Sequence, residues 1–158
     1  MSYAKQAAWD YDEKVVFRTI GEALREFLPV DKWQDFDTAE RQRRVEKASS
    51  YVHDALGVKR PAPIIWTDDP GNEGAGYDEC SEDGEIHYPA HHLEDVDPEH
   101  LVRGLCEEMR HAWQDDVRRD LTPHPLGEVG KRALERGFAT YDENNTLNDS
   151  KNALELDG

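Results

Sequence analysis

The stretch "GEIHYPAHHLEDVDPEHLVRGLCEEMRHAWQDD", Gly84 to Asp116, decides the fold of this chain. It opens with alternation. Ile86 and Tyr88 fall on one face of an extended segment and Glu85 and His87 on the other, which predicts a half-buried strand. A helix is then announced by Asp97-Pro98-Glu99. Asp97 is the cap, Pro98 takes the first helical position where its missing N–H costs nothing, and Glu99 complements the positive end of the dipole. The helix is expected to run to about Arg119.

Successive residues stand ~100° apart around such a helix, and this sorts them into two faces. Leu101, Val102, Leu105, Cys106, Met109, Ala112, Trp113 and Val117 share one broad apolar arc, expected in the core. Glu107, Glu108, His111, Gln114 and Asp115 form the opposite stripe. Gly104 lies within that stripe, one turn before the glutamates, and leaves room for something to approach the backbone. Glu107 and His111 are four apart, so their side chains can converge, with Glu108 alongside. That geometry suits a metal held by the first and fifth positions, with a neighbouring carboxylate activating bound water. It equally suits the solvated side of an ordinary amphipathic helix.

Outward from this core, the N-terminal half reads as helical. Val16, Ile20, Ala23, Leu24 and Phe27 make an apolar stripe within Tyr11 to Leu28, closed by Pro29. "DTAE" places Asp37 as an N-cap with Glu40 three residues on, and Val45, Ala48, Val52, Ala55 and Leu56 form the next buried face before Gly57 stops it. After "KRPAP" the character changes. "PIIWT" (Pro63 to Thr67) is a predicted strand, "DDPGNEGAG" a loop, and "GYDEC" and "GEIHYP" two strands joined by a turn through Ser81 to Gly84. A last helix is expected around Glu128 to Tyr141, then a polar loop and the tail "KNALELDG". The expected class is α+β, a small mixed or antiparallel sheet with several packing helices. One domain is expected over residues 1–158, its first 60 residues helical.

Lys plus Arg number 19 against 35 Asp plus Glu, a net charge of −16. Such a balance repels nucleic acid over most approaches and suits a cation or a basic protein partner. The two cysteines, Cys80 and Cys106, make no disulfide scaffold and no zinc knuckle. The N-terminal residues contain no apolar run, so neither a signal peptide nor a membrane span is expected. A cytoplasmic protein, or one delivered by a specialised secretion route, fits these features.

The segment from Gly76 to Gly158 resembles the core of zincin-like metallopeptidases. More closely, it looks like the small bacterial and phage-type domains whose helix reads H-E-x-R-H-A-x-Q, matched here by "EMRHAWQ", Glu108 to Gln114. The later family segment N-P-x-E-x-D is matched by Asn152, Leu154, Glu155 and Asp157, with Ala153 in place of proline. The resemblance implies an edge strand, here Gly84 to Tyr88, beside a substrate cleft shaped also by the loop from Asp68 to Gly76. It implies His111 and Glu155 as zinc ligands, Glu108 as general base and Gln114 in support. Glu107 stands at the first-histidine position. A Glu107–His111–Glu155 set would be harder and more anionic than the family's, and more tolerant of manganese, iron or calcium. His87 and His92 are the candidates for a replacement imidazole.

Two functions follow from that resemblance. One is a metal-dependent peptidase or related hydrolase acting on protein or peptide, in the manner of a bacterial effector or toxin domain. The other is a non-catalytic zincin-like module, a pseudoenzyme recognising a basic protein partner. Among the remaining motifs, Glu108-x-x-His111 lacks the second copy a di-iron bundle needs. Cys106 points into the apolar arc as a structural thiol, and the arginines of "DVRRD" suit a helix C-terminus.

Overall fold

The computed structural model describes residues 18–68 and 74–144. Among them are five α-helices and a three-stranded mixed sheet, the α+β class expected. Helix α1 covers residues 18–27. A 3-10 turn, Trp33–Asp35, leads into α2 (Thr38–Leu56). Then come β1 (Ile64–Thr67), β2 (Gly76–Tyr77), β3 (Ile86–Pro89), α3 (His92–Asp95), α4 (Pro98–Arg118) and α5 (Gly127–Asn144). The strand order is β1-β3-β2, with β1 parallel and β2 antiparallel to β3. The segment expected at the sheet edge is therefore its central strand, because β1 and β2 occupy both of its hydrogen-bonding sides. The start of the first helix, residues 11–17, and loop residues 69–73 lie outside the described residues, as do Glu155 and Asp157.

The described chain divides into two compact units, the boundary falling within α4 between Trp113 and Gln114. In the unit Arg18–Trp113, local signals act as their chemistry dictates. Asp37 caps α2, its Oδ1 accepting from the Glu40 N–H at 2.8 Å. The Glu40 carboxylate accepts from Arg43 and Arg44. Gly57 ends α2 at φ 72°, the left-handed conformation that favours glycine. Val45, Ala48 and Val52 are fully buried on α2, whereas Ala55 is exposed at its end.

Arginines on α2 bind the neighbouring segments. Buried Arg41 donates to the backbone carbonyls of Trp33 and Leu93 and pairs with Glu94. Arg44 donates to the Phe27 carbonyl at the end of α1 and lies over the Phe36 ring. The Trp66 indole N–H donates to Glu46, joining β1 to α2.

The sheet has two different faces. Register places Ile64 beside Ile86, Trp66 beside Tyr88, and Tyr77 opposite Ile86. These residues form the inner face, with Ile86 and Tyr88 buried and the others packed against the core. Ile65 beside His87 lies on the outer face, and its 38% exposure marks that face as open. The alternation read from Glu85 to Tyr88 is thus realised.

Strand β3 meets α4 through one close approach. A Cβ added at Gly104 would lie 2.6 Å from the Tyr88 hydroxyl oxygen. That hydroxyl donates to the Leu101 carbonyl at 3.3 Å. The room that Gly104 leaves on the helix is filled by this tyrosine. Trp66 and His92 complete the ring's aromatic surroundings, each with centroids 5.7 Å away; such pairs contribute about 0.5–1.5 kcal/mol each.

In the unit from Gln114 onward, Val117, Leu134 and Phe138 are buried. Arg118 lies over the Phe138 ring, and Lys131 on α5 bridges to Asp120.

The Gly104 contact yields a stability test. Gly104→Ala should destabilise the fold by about 1–3 kcal/mol through overpacking, although alanine is the better helix former by about 1 kcal/mol. In the Tyr88→Phe background, which lacks the hydroxyl, the same substitution should be near neutral or stabilising. Urea denaturation of the four proteins in this cycle measures the coupling.

Candidate functional site

The polar stripe of α4 is not uniformly wet. Glu107 is exposed and Glu108 half-buried, while His111 is 5% exposed and Gln114 and Asp115 are sealed from solvent. Arg110 and Asp116 are buried as well. The two-faced helix predicted from the sequence therefore holds only for its first half. From Arg110 to Val117 every residue but Trp113 is buried, polar residues included.

Buried polar groups require partners. Asp115 finds them along its own helix, accepting from Arg118 Nε at 2.7 Å and Arg119 Nε at 3.1 Å. The arginines of "DVRRD" are thus engaged by a buried carboxylate three and four residues earlier.

The half-buried end of the stripe lies near Tyr88. Burial, and then the charges of Glu108 and Glu107, raise the phenol well above its ordinary range, so the hydroxyl stays protonated as the donor to Leu101. The same stretch disfavours a thiol nucleophile. Burial and then Glu107 push Cys106 up to about 11, against a smaller opposing effect of Arg110.

The replacement imidazoles have other surroundings. His92 is buried in α3, edge-on to both Tyr88 and His91. His87 lies on the outer face of the sheet, opposite to the Tyr88 side that meets α4. There its Nε2 stands 3.8 Å from Asp78 Oδ2 and 3.8 Å from Glu85 Oε2. Of the described residues, Asp78, Glu85 and His87 are the group of three whose ligand atoms meet within 4.8 Å; Glu107, Glu108 and His111 have no part in it.

Asp78 and Glu85 were not singled out from sequence. The signal that would have found them is the Glu85-x-His87 alternation combined with the hairpin register. Glu155 and Asp157, the later members of the family pattern, lie outside the described residues.

His124, also not singled out, is buried against Gly130, where an added Cβ would fall 2.0 Å from its Nδ1. Nδ1 accepts from the Leu126 N–H at 2.9 Å, so a neutral ring carries its proton on Nε2. Burial lowers its pKa, in keeping with that neutral form.

No protein-family profile, curated protein or solved structure matches this chain. No helix among the described residues is long and apolar enough to cross a membrane.

Cys106 provides a pH test. Above its ordinary value of 9 the unfolded thiol loses its proton, while the folded thiol keeps it until about 11. The unfolded state therefore binds fewer protons across this window, and its contribution to stability declines as pH rises. Urea midpoints measured from pH 9 to about 11 should fall, and Cys106→Ala should flatten part of that fall. In the native protein exposed Cys80 should be alkylated well before Cys106.

Proposed function

We propose that this chain is an acidic, zincin-like binding module that captures a basic segment of another protein, and that it is not a working peptidase. The observation that carries this reading is the contrast along α4. Where the resembled helix bears its first histidine, Glu107 is exposed, while His111 one turn later is almost fully enclosed.

Zinc of the family type fits the described residues poorly. At the two motif positions the helix supplies one imidazole, His111, where the resembled pattern has two; the other position holds the solvated carboxylate of Glu107. The space above Gly104 is taken by Tyr88. Strand β3 is paired with β1 along its length and with β2 at Ile86 and His87, which leaves little free edge for pairing with an extended substrate. The net charge of −16 supports recruitment of a basic partner through long-range attraction.

Titration with a lysine- and arginine-rich peptide, followed by calorimetry, tests this reading. Saturable binding is expected at about 50 mM salt and large weakening at about 500 mM, as screening shortens the reach of the charges. An acidic peptide of equal length should not bind. Absence of binding to the basic peptide at low salt would overturn the proposal.

The peptidase reading draws on Glu108, half-buried beside Tyr88 on the same stripe as His111. Peptide hydrolysis that disappears in Glu108→Gln would establish it instead. Glu107→His should raise zinc affinity if the helix retains a zincin-like frame.

A further inference from the structure

The outer face of the sheet carries a group of side chains that the binding-module reading does not use. We propose that Asp78, Glu85 and His87 form a binding site for a divalent transition-metal ion, separate from α4.

The backbone brings these three donors together. Glu85 and His87 are two residues apart, so they project from the same face of the β3 segment. Asp78 directly follows β2 and lies opposite Glu85, its N–H donating to the Glu85 carbonyl at 2.9 Å. Cross-strand register thereby delivers a second carboxylate to the same face.

The hairpin is held by its own hydrogen bonds. The Ser81 N–H and hydroxyl both donate to the Asp78 carbonyl, and the Glu85 N–H donates to Ser81 Oγ at 2.6 Å. Beneath the turn, the Arg60 guanidinium lies 3.2 Å from the Cβ position of Gly84, whose φ of 71° favours glycine, and Arg60 also donates to the Tyr77 hydroxyl.

The side-chain geometry points to an ion between the donors. Asp78 Oδ1 accepts from the Cys80 N–H at 2.9 Å, leaving Oδ2 as the oxygen directed toward His87. The Nε2 of His87 is sealed from solvent yet has no hydrogen-bond partner, although the side chain as a whole is 37% exposed. Both carboxylates stand 3.8 Å from it, beyond hydrogen-bonding distance. Ligands bound to one ion at about 2.0–2.2 Å lie about 2.8–3.6 Å from each other, slightly closer than the 3.8 Å at His87, so a small inward movement of the side chains would close them on an ion.

Neither carboxylate is in hydrogen-bond contact with the imidazole. Both are held at equal distance. The Asp78 carboxylate is oriented by the Cys80 amide, which bonds its other oxygen, the kind of outer-shell support that orients metal ligands.

Donor chemistry narrows the ion. One imidazole and two carboxylates suit zinc, manganese, iron or nickel, whereas calcium and magnesium prefer all-oxygen surroundings. Two carboxylates and a neutral imidazole balance a divalent charge. The three side chains are 31–39% exposed, which leaves coordination positions open to solvent.

The test is calorimetric titration of the full untagged chain, stripped with chelator, using zinc chloride and manganese chloride alone. One-to-one binding is expected, reversed by chelator. His87→Gln and Asp78→Asn should each weaken it by at least about tenfold, while Glu107→Ala should leave it unchanged. Manganese should broaden the His87 ring resonances before those of His111. Because His87 and Asp78 are partly exposed, circular dichroism is expected to show these variants folded. Absence of saturable binding would overturn the proposal. So would binding that survives His87→Gln in the folded protein, or binding abolished by Glu107→Ala.

Discussion

The arrangement of the larger unit depends on the tyrosine ring of β3 lying against the glycine of α4. Tyr88 is buried among Trp66, His92 and Gly104, and its hydroxyl is tied to the Leu101 carbonyl. A side chain at position 104 would hold strand and helix apart. With glycine there, the phenol reaches the helix backbone and the inner face of the sheet is covered. Gly104 is thus a packing device between two elements that the short segment 90–97 joins.

The same contact changes the meaning of the helix. A polar stripe bearing Glu107, Glu108 and His111 reads as an open metal-binding face when α4 is considered alone. In the folded chain Tyr88 occupies the start of that stripe, and the later residues are enclosed. Asp115, fully buried, is supported by two arginines of the following turn. Enclosing so many polar groups has a high desolvation cost unless each is partnered. Glu107 alone keeps the fully solvated character expected of the whole stripe.

Alternation along β3 serves two ends at once. Ile86 and Tyr88 go inward and bind the sheet to the core, while Glu85 and His87 go outward to meet Asp78. Because side chains alternate strictly, the residues that bury the strand also determine that its neighbours are presented together on the other face. Core packing at Tyr88 and the acidic, imidazole-bearing surface at His87 are consequences of one register. A slip of a single residue would exchange them.

Much of this was legible in the sequence because it depends on near neighbours. Asp37, Gly57, Asp97 and Pro98 mark helix ends through local hydrogen bonding and backbone preference. The alternation of Glu85 to Tyr88 and the apolar arc from Leu101 to Ala112 follow from the periods of strand and helix. By itself the sequence determined the class of fold, the net charge and which residues of β3 face the core. Tertiary structure decided what no local period encodes: that β3 is central, that Tyr88 fills the space over Gly104, and that Gln114 and Asp115 are dry. It also brought Asp78 to Glu85 and His87. The physical reason is that strand pairing, and the covering of one element by another, join residues far apart in the chain.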